Sequence, residues 1–313
     1  MKKAIVTTTI YSISEALKRY CEFKDWDLFI VGDLKTPHEE YLEFDKNNDN
    51  VYYLSPDYQE KNYKEISDLI GWNIICRRLI GYLDVLKKNY DIIASIDDDN
   101  QPLDNWGKDL KIGIPTVVYF YELDDICFDS IGATNYKNLW HRGFPIQNVN
   151  NRNNKYKITT KKIIPDIQAC FWNGDPDIDA ICRLEHKPMC FFDSKYFPIS
   201  CDTFSPFNSQ NTFFSREALK KYVLLPFIGR MDDIWASYYL QTYNFNVIYT
   251  ESSVFQDRNI QNLTKNMKDE FIGYENTYNL LEDLKKNREL ISKYLPEESY
   301  TILKKYLEIT DSL

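Results

Sequence analysis

Tyr90-Asp91-Ile92-Ile93-Ala94-Ser95-Ile96-Asp97-Asp98-Asp99 is the stretch on which the reading of this chain turns. Residues 91–96 are a short, nearly continuous apolar run, the pattern of a strand covered on both faces in a parallel sheet. Three carboxylates then follow at its carboxyl end. Left together they repel one another, and burying any one of them is costly without a partner. The run therefore predicts both a buried strand and a cation-seeking edge.

Working outward, the first half alternates strand and helix patterns, which predicts an α/β fold with a mainly parallel sheet. Strands are expected at 3–9, 28–31, 51–54 and 91–96, with helices at 12–23 and 72–89. In the latter, Ile75, Leu79, Tyr82, Leu83 and Leu86 share one face. Residues 100–170 are irregular, and the asparagine-rich stretch 148–154 reads as an exposed loop. Further strands are expected at 163–172, 189–193 and 247–250, and a helix at 232–243. Beyond Gln261 the chain is rich in lysine and glutamate at helical spacing, divided by Pro296 into at least two helices. The expected organisation is a domain over 1–260 and a helical C-terminal extension over 261–313, which leaves a homo-oligomer through those helices open.

Composition narrows the function classes. Lys+Arg 38 against Asp+Glu 47 gives a net charge of -9, which disfavours general binding to nucleic acid. The seven cysteines are scattered with no C-x-x-C pair, so neither a disulfide framework nor a zinc site follows. No run is long and apolar enough for a membrane span, and a cytoplasmic location is the simplest expectation. No Walker P-loop and no serine–histidine–aspartate triad is legible. Of His38, His141 and His186, the last, near Asp193, is the likelier to matter.

In open α/β sheets ligands collect beyond the carboxyl ends of the strands. Thr7, Thr8 and Thr9 fall there after the first strand, Gly32-Asp33-Leu34-Lys35-Thr36-Pro37 after the second, and the acidic triplet after the fourth. Thr7 and Thr8 are candidate donor contacts. Asp33 offers acceptors to a uracil or ribose, and Lys35 a cation to a phosphate, although such a segment is more often just a polar turn. Arg77 and Arg78 precede the triplet strand, and paired guanidiniums suit a diphosphate as well as a solvated helix face. Asp97 and Asp99 suit a hard divalent cation, Mn2+ or Mg2+, that bridges carboxylate and phosphate oxygens. In Trp172-Asn173-Gly174-Asp175-Pro176-Asp177-Ile178-Asp179, Asp177 or Asp179 either caps a helix or contacts a sugar. In Gly229-Arg230-Met231-Asp232-Asp233-Ile234-Trp235, two carboxylates open a helix, and capping accounts for only one. Asp232 and Asp233 are the candidate catalytic pair, with a base role for either.

The ordered set resembles known families. Cys76-Arg77-Arg78-Leu79-Ile80-Gly81-Tyr82-Leu83, the triplet, Arg142-Gly143-Phe144-Pro145 and residues 229–235 resemble the UDP-arabinopyranose mutases, the reversibly glycosylated polypeptides. Val31-Gly32-Asp33-Leu34-Lys35-Thr36-Pro37, Trp140-His141-Arg142-Gly143-Phe144-Pro145 and Gly174-Asp175-Pro176-Asp177-Ile178-Asp179-Ala180 are closer to the STELLO-type glycosyltransferases. The matches span about residues 4–260. The resemblance implies a GT-A fold, a Rossmann-like mixed sheet, together with a nucleotide-sugar donor and a divalent metal; the expected donor is a UDP-sugar and the expected acceptor a hydroxyl, such as that of a glycan. It implies that Asp97, Asp98 and Asp99 hold metal and ribose. Arg77, Arg78 and Arg142 would lie near the donor, and Asp232 and Asp233 would face the sugar or acceptor. Two departures stand out. The mutase-like proteins carry a glycosylated arginine four residues after their R-G-Y-P segment, where this chain has Val149, with Arg152 three residues on. The membrane anchor of plant STELLO proteins is missing, so a soluble relative is expected. The reading is a metal-dependent glycosyltransferase, hexosyl or pentosyl. Its rivals are a UDP-sugar pyranose/furanose mutase and a non-catalytic nucleotide-sugar-binding subunit, with a nucleotidyltransferase last.

Overall fold

Apolar side chains on both faces of its central strands set the architecture. In the computed structural model, residues 1–152, 155–258 and 261–313 are described. The N-terminal half runs β1 (Lys3–Thr9), α1 (Glu15–Cys21), β2 (Asp27–Gly32), α2 (His38–Lys46), β3 (Val51–Leu54), α3 (Pro56–Ile70), α4 (Arg78–Lys87) and β4 (Ile92–Ile96). There follow β5 (Asn100–Pro102), β6 (Thr116–Leu123), β7 (Tyr156–Ile163), β8 (Ile167–Gly174), α5 (Ala180–His186), β9 (Ile199–Cys201) and β10 (Asn211–Ser215). The chain ends with α6 (Arg216–Leu219), α7 (Asp232–Gln241), β11 (Val247–Gln256), α8 (Leu263–Lys286) and α9 (Glu297–Asp311).

One sheet has the order β3-β2-β1-β4-β10-β8-β11-β9-β6-β7, with β5 added to β11. The first four strands are parallel, β10 runs antiparallel between β4 and β8, and β11 returns parallel to β8. This is the mixed, Rossmann-like α/β sheet flanked by helices that the alternating pattern and the resemblance imply. The chain leaves β1 toward β2 and β3 and comes back to β4 on its other side, which creates a switch point between β1 and β4. The acidic triplet emerges there. Close packing of α4 on the sheet depends on Gly81, where a Cβ would lie 2.5 Å from Val6 Cγ1.

Differences from the expected elements have local causes. The 72–89 helix starts only at Arg78, after a 3₁₀ turn at Ile75–Arg77, and Ile75 is exposed rather than part of the apolar face. Asn73 at φ 61 turns the chain there, and the Asn73 and Ile74 amides are given to Asp33. The 12–23 helix is trimmed by Ser14, whose hydroxyl caps it. The 163–172 run divides around Pro165 into the end of β7 and the start of β8. At 189–193 no strand forms, only a bridge between Cys190 and Gly174. The irregular 100–170 stretch contains β5, β6 and β7. Most of β7 is exposed, so burial leaves little imprint on its sequence. Of the expected 148–154 loop, residues up to 151 lie in a 3₁₀ turn, and 153 and 154 lie outside the described residues.

The C-terminal helices belong to the same core. Leu280, Leu281, Leu284, Ile291, Ile302, Leu303 and Tyr306 are buried with the sheet's own apolar side chains. Among the described residues no helix is long and apolar enough to cross a membrane. Gly229, at φ +61, lets the turn before α7 touch the backbone of α8, where a Cβ would collide with the Asp269 carbonyl oxygen. Gly229→Ala is therefore expected to destabilise the fold by about 2–4 kcal/mol, combining overpacking with a left-handed backbone. A urea unfolding curve of the variant measures it, and a change under about 0.5 kcal/mol would contradict this packing.

Candidate functional site

At the end of β4 the three carboxylates have three different fates. Asp97 is paired with the buried Arg78, whose Nη2 donates to Oδ1 at 2.7 Å. Arg78 Nη1 also donates to Ser209 O and Oγ, both at 3.1 Å, and to Ser95 Oγ at 3.3 Å. Burial works against the charge of Arg78, but Asp97 outweighs it and the guanidinium is held firmly protonated. Asp98 accepts from the Thr9 hydroxyl, and its carbonyl accepts from Ser14. Burial raises its carboxyl, with Thr9 opposing. Asp99 is the most exposed of the three. Its carboxyl is pushed up to about 6, first by loss of surrounding water and then by Asp97 and Asp98, with Arg258 opposing.

Beside the triplet, the ends of β1 and β2 and the turn before α4 enclose a recess of about 230 Å³ that includes Thr8, Tyr11, Asp33, Lys35, Ile74 and Asp98. Its residues do not all have the expected role. Thr7 is fully buried inside β1 and does not line it. Asp33 is spent on the backbone: Oδ1 accepts from Leu34 N (2.6 Å) and Asn73 N (2.9 Å), and Oδ2 from Ile74 N (3.2 Å). It shapes the recess wall rather than offering free acceptors to a base. Lys35 stays exposed at the rim. Arg77 is buried against Gln59, Ser67 and Gly71, with its guanidinium 3.6 Å from the Trp72 ring centroid, and makes no hydrogen bond to the triplet. Four polar groups and an aromatic face satisfy it within the α3–α4 connection.

A second constellation lies across Ser209. Arg142 Nε donates to Asp177 Oδ1 at 2.9 Å and its Nη2 to Oδ2 at 2.8 Å, while its Nη1 donates to Asp233 Oδ1 at 3.0 Å. Asn208 Nδ2 adds a bond to Asp177 at 2.8 Å. Burial opposes the charge on Asp177, but Arg142 and then Arg258 hold its carboxyl well below the usual range. Asp233 Oδ2 accepts from Ser209 N at 3.0 Å. Asp97, Arg78, Ser209, Asp233, Arg142 and Asp177 thus form one bonded chain, joining segments scattered from residue 78 to residue 233.

Asp232 differs from its neighbour. It is half-buried, and among the described residues its carboxylate accepts one hydrogen bond, from Asp233 N at 2.9 Å. Burial and then Asp233 push it up to about 7, against Arg142 and Arg230. A carboxylate that titrates near neutrality without a locked partner is what proton transfer needs, whereas Asp233 is held in place by Arg142.

Asp179 caps α5 through Oδ1 and faces Glu270 of α8; burial and then Glu270 push it up to about 7. Glu270 in turn accepts from Arg230 Nε at 2.8 Å. His141 is buried against Trp172, with Nδ1 2.8 Å from the Arg142 carbonyl, and burial lowers it. His186 ends α5. Val149 packs on the core, and Arg152 is held by Asp129 at 3.2 Å, so neither presents a free arginine after the R-G-F-P segment. Asn208, Ser209, Arg230, Arg258 and Glu270 went unflagged as site residues in the sequence. Arg230 stands inside a quoted motif, whereas the others have no local pattern around them. A larger recess of about 580 Å³, lined by Phe120, Thr203, Gln241 and Phe245 among others, contains none of the expected residues.

Among the described residues no group of three or more His, Cys, Asp or Glu side chains is arranged to hold a metal alone. The donor set does fit a hard cation shared with a ligand. Asp99 is open to solvent beside two like charges, and Asp97 gives one oxygen to Arg78, so the remaining positions would fall to phosphate or water.

No family model matches the chain. Among curated proteins, the probable glycosyltransferase STELLO2 of Arabidopsis thaliana is 26% identical over 201 residues, which is 59% of this chain and 25% of the relative. STELLO1 of the same plant is 24% identical over 219 residues, 66% and 27% respectively. The chain is similar to the STELLO glycosyltransferases. It spans only about a quarter of their length. These relatives carry the STELLO side of the resemblance and do not show the mutase side. Among solved structures, a mannosyltransferase, PcManGT from Pyrobaculum calidifontis in complex with GDP-Man and Mn2+, aligns with 99% of this chain and 86% of its own at 9% identity and a TM-score of 0.40.

Proposed function

We propose that this chain transfers a sugar from a UDP-sugar to an acceptor hydroxyl with the help of Mn2+ or Mg2+. The observation that carries the reading is the bonded chain from Asp97 to Asp233, which ties a cation-seeking carboxylate cluster to the immediate neighbour of the candidate base, Asp232. The similarity to the two probable glycosyltransferases supports sugar transfer. The choice of UDP follows the resemblance to UDP-sugar enzymes.

The recess at β1 and β2 takes the nucleoside. Asp99, with Asp97, holds the cation, which when bound offsets negative charge on the departing diphosphate. Arg78 fixes Asp97, and through Ser209 the position of Asp233. Asp232 accepts the proton of the acceptor hydroxyl while the oxygen bonds to the sugar's anomeric carbon. The bond from that carbon to the diphosphate breaks, and UDP leaves with its electron pair. If the anomeric configuration is retained, Asp232 instead positions the acceptor. A mutase reading has less support, because the position after the R-G-F-P segment is a valine and Arg152 is engaged by Asp129.

A base must be deprotonated to act, so turnover is expected to rise with pH through about 7 and level off above it. Asp232→Asn should lower turnover about 10²–10⁴-fold and flatten that profile. The same raised carboxyl favours the folded state while protonated: that contribution is complete below the unfolded pKa of about 4 and is lost as pH rises through about 7. Asp232→Asn should therefore raise the melting temperature more at pH 8 than at pH 5. An unchanged pH–rate profile in the variant would remove Asp232 from the chemistry.

A further inference from the structure

We infer that Arg258 binds the donor's diphosphate on the side opposite Asp99. This rests on the nucleotide-sugar reading above and adds to it a residue outside every motif of the sequence. β5 and β11 pair antiparallel with Asn100 opposite Gln256, so the chain leaving β11 runs back alongside the triplet. Arg258 lies two residues beyond that pair, where an antiparallel continuation passes the triplet.

Its present partners do not account for it. The side chain is 12% exposed, and Nε is buried without a hydrogen bond among the described residues. Nη2 stands 3.3 Å from Gln210 Oε1 and 3.4 Å from Asp177, and Nε is 3.8 Å from Asp175. Both acids are already served, Asp177 by Arg142 and Asn208 and Asp175 by Arg183. Burial, against Asp177 and then with Arg183 and Arg230, makes the charge on Arg258 less favourable than usual. A buried guanidinium with an unused Nε donor, sharing two already-paired acids with neighbouring arginines on the run that returns beside the triplet, is matched by a ligand with two linked phosphates. One phosphate oxygen meets the cation side at Asp99 and another meets the fork of Arg258.

Calorimetric titration with UDP and, separately, uridine, both with Mn2+, tests this on the full chain. Arg258→Gln is expected to weaken UDP binding at least about 10-fold and leave uridine within about 2-fold, and Arg258→Lys, which keeps the charge but not the fork, to lie between. Wild-type affinity for UDP in Arg258→Gln overturns the inference. So does a parallel loss of UDP and uridine in both variants, which would mark a purely structural arginine. If Arg258→Gln does not fold, Arg258→Lys decides: selective loss of UDP supports the assignment, and unchanged UDP binding overturns it. Failure of the wild-type chain to bind UDP at all would instead remove the nucleotide-sugar reading itself.

Discussion

Asp99→Ala is expected to lower turnover at least about 10³-fold while leaving the fold intact. The residue is exposed, its carboxylate has no hydrogen bond to another residue's side chain or backbone among the described residues, and it is crowded by Asp97 and Asp98. Its folded pKa of about 6 lies above the unfolded value, so its charge works against folding above that pH. Alanine at this position should therefore melt at the wild-type temperature or slightly above it at pH 8. The combination of lost activity and unchanged stability separates a ligand-facing residue from a structural one. A variant with full turnover would remove the metal role from Asp99.

The second large effect is on stability. Arg142→Ala should cost about 3–5 kcal/mol in urea unfolding, because it strands two buried carboxylates, Asp177 and Asp233, without their shared cation. Arg142→Lys should recover only part of this, since a single ammonium cannot reproduce the forked contacts. The loss should shrink at low pH, where Asp177 takes up a proton and no longer needs its partner. A cost below about 1 kcal/mol at pH 7 would mean that the network does not hold the site together.

What the sequence reveals depends on whether a residue's role is set locally. β1, β3 and β4 are legible almost to the residue, because strands buried in a parallel sheet are short apolar runs with few alternatives. β7 is not, since an exposed strand carries little burial pattern, and β10 hides in the mixed run Asn211–Ser215. In the site, Arg78, Asp97, Arg142, Asp177 and Asp233 stand out as charges beside apolar runs. Their pairing does not, because Arg142 meets Asp233 across 91 positions. Asp33 and Arg77 show the opposite error: polarity is visible in sequence, but whether backbone amides or a neighbouring Gln59 and Ser67 already satisfy it is not. Ser209, which joins the two clusters through its own backbone, has no side-chain signature for that role.

Sugar transfer from a UDP-sugar is the activity proposed for this site. Its most direct test incubates the pure protein with Mn2+ and a panel of nucleotide sugars, without acceptor, and follows free nucleotide and sugar-ring isomers together. Slow release of UDP from one donor, lost in Asp99→Ala, is the predicted result. A ring isomer formed without free UDP would contradict it and make the chain a mutase.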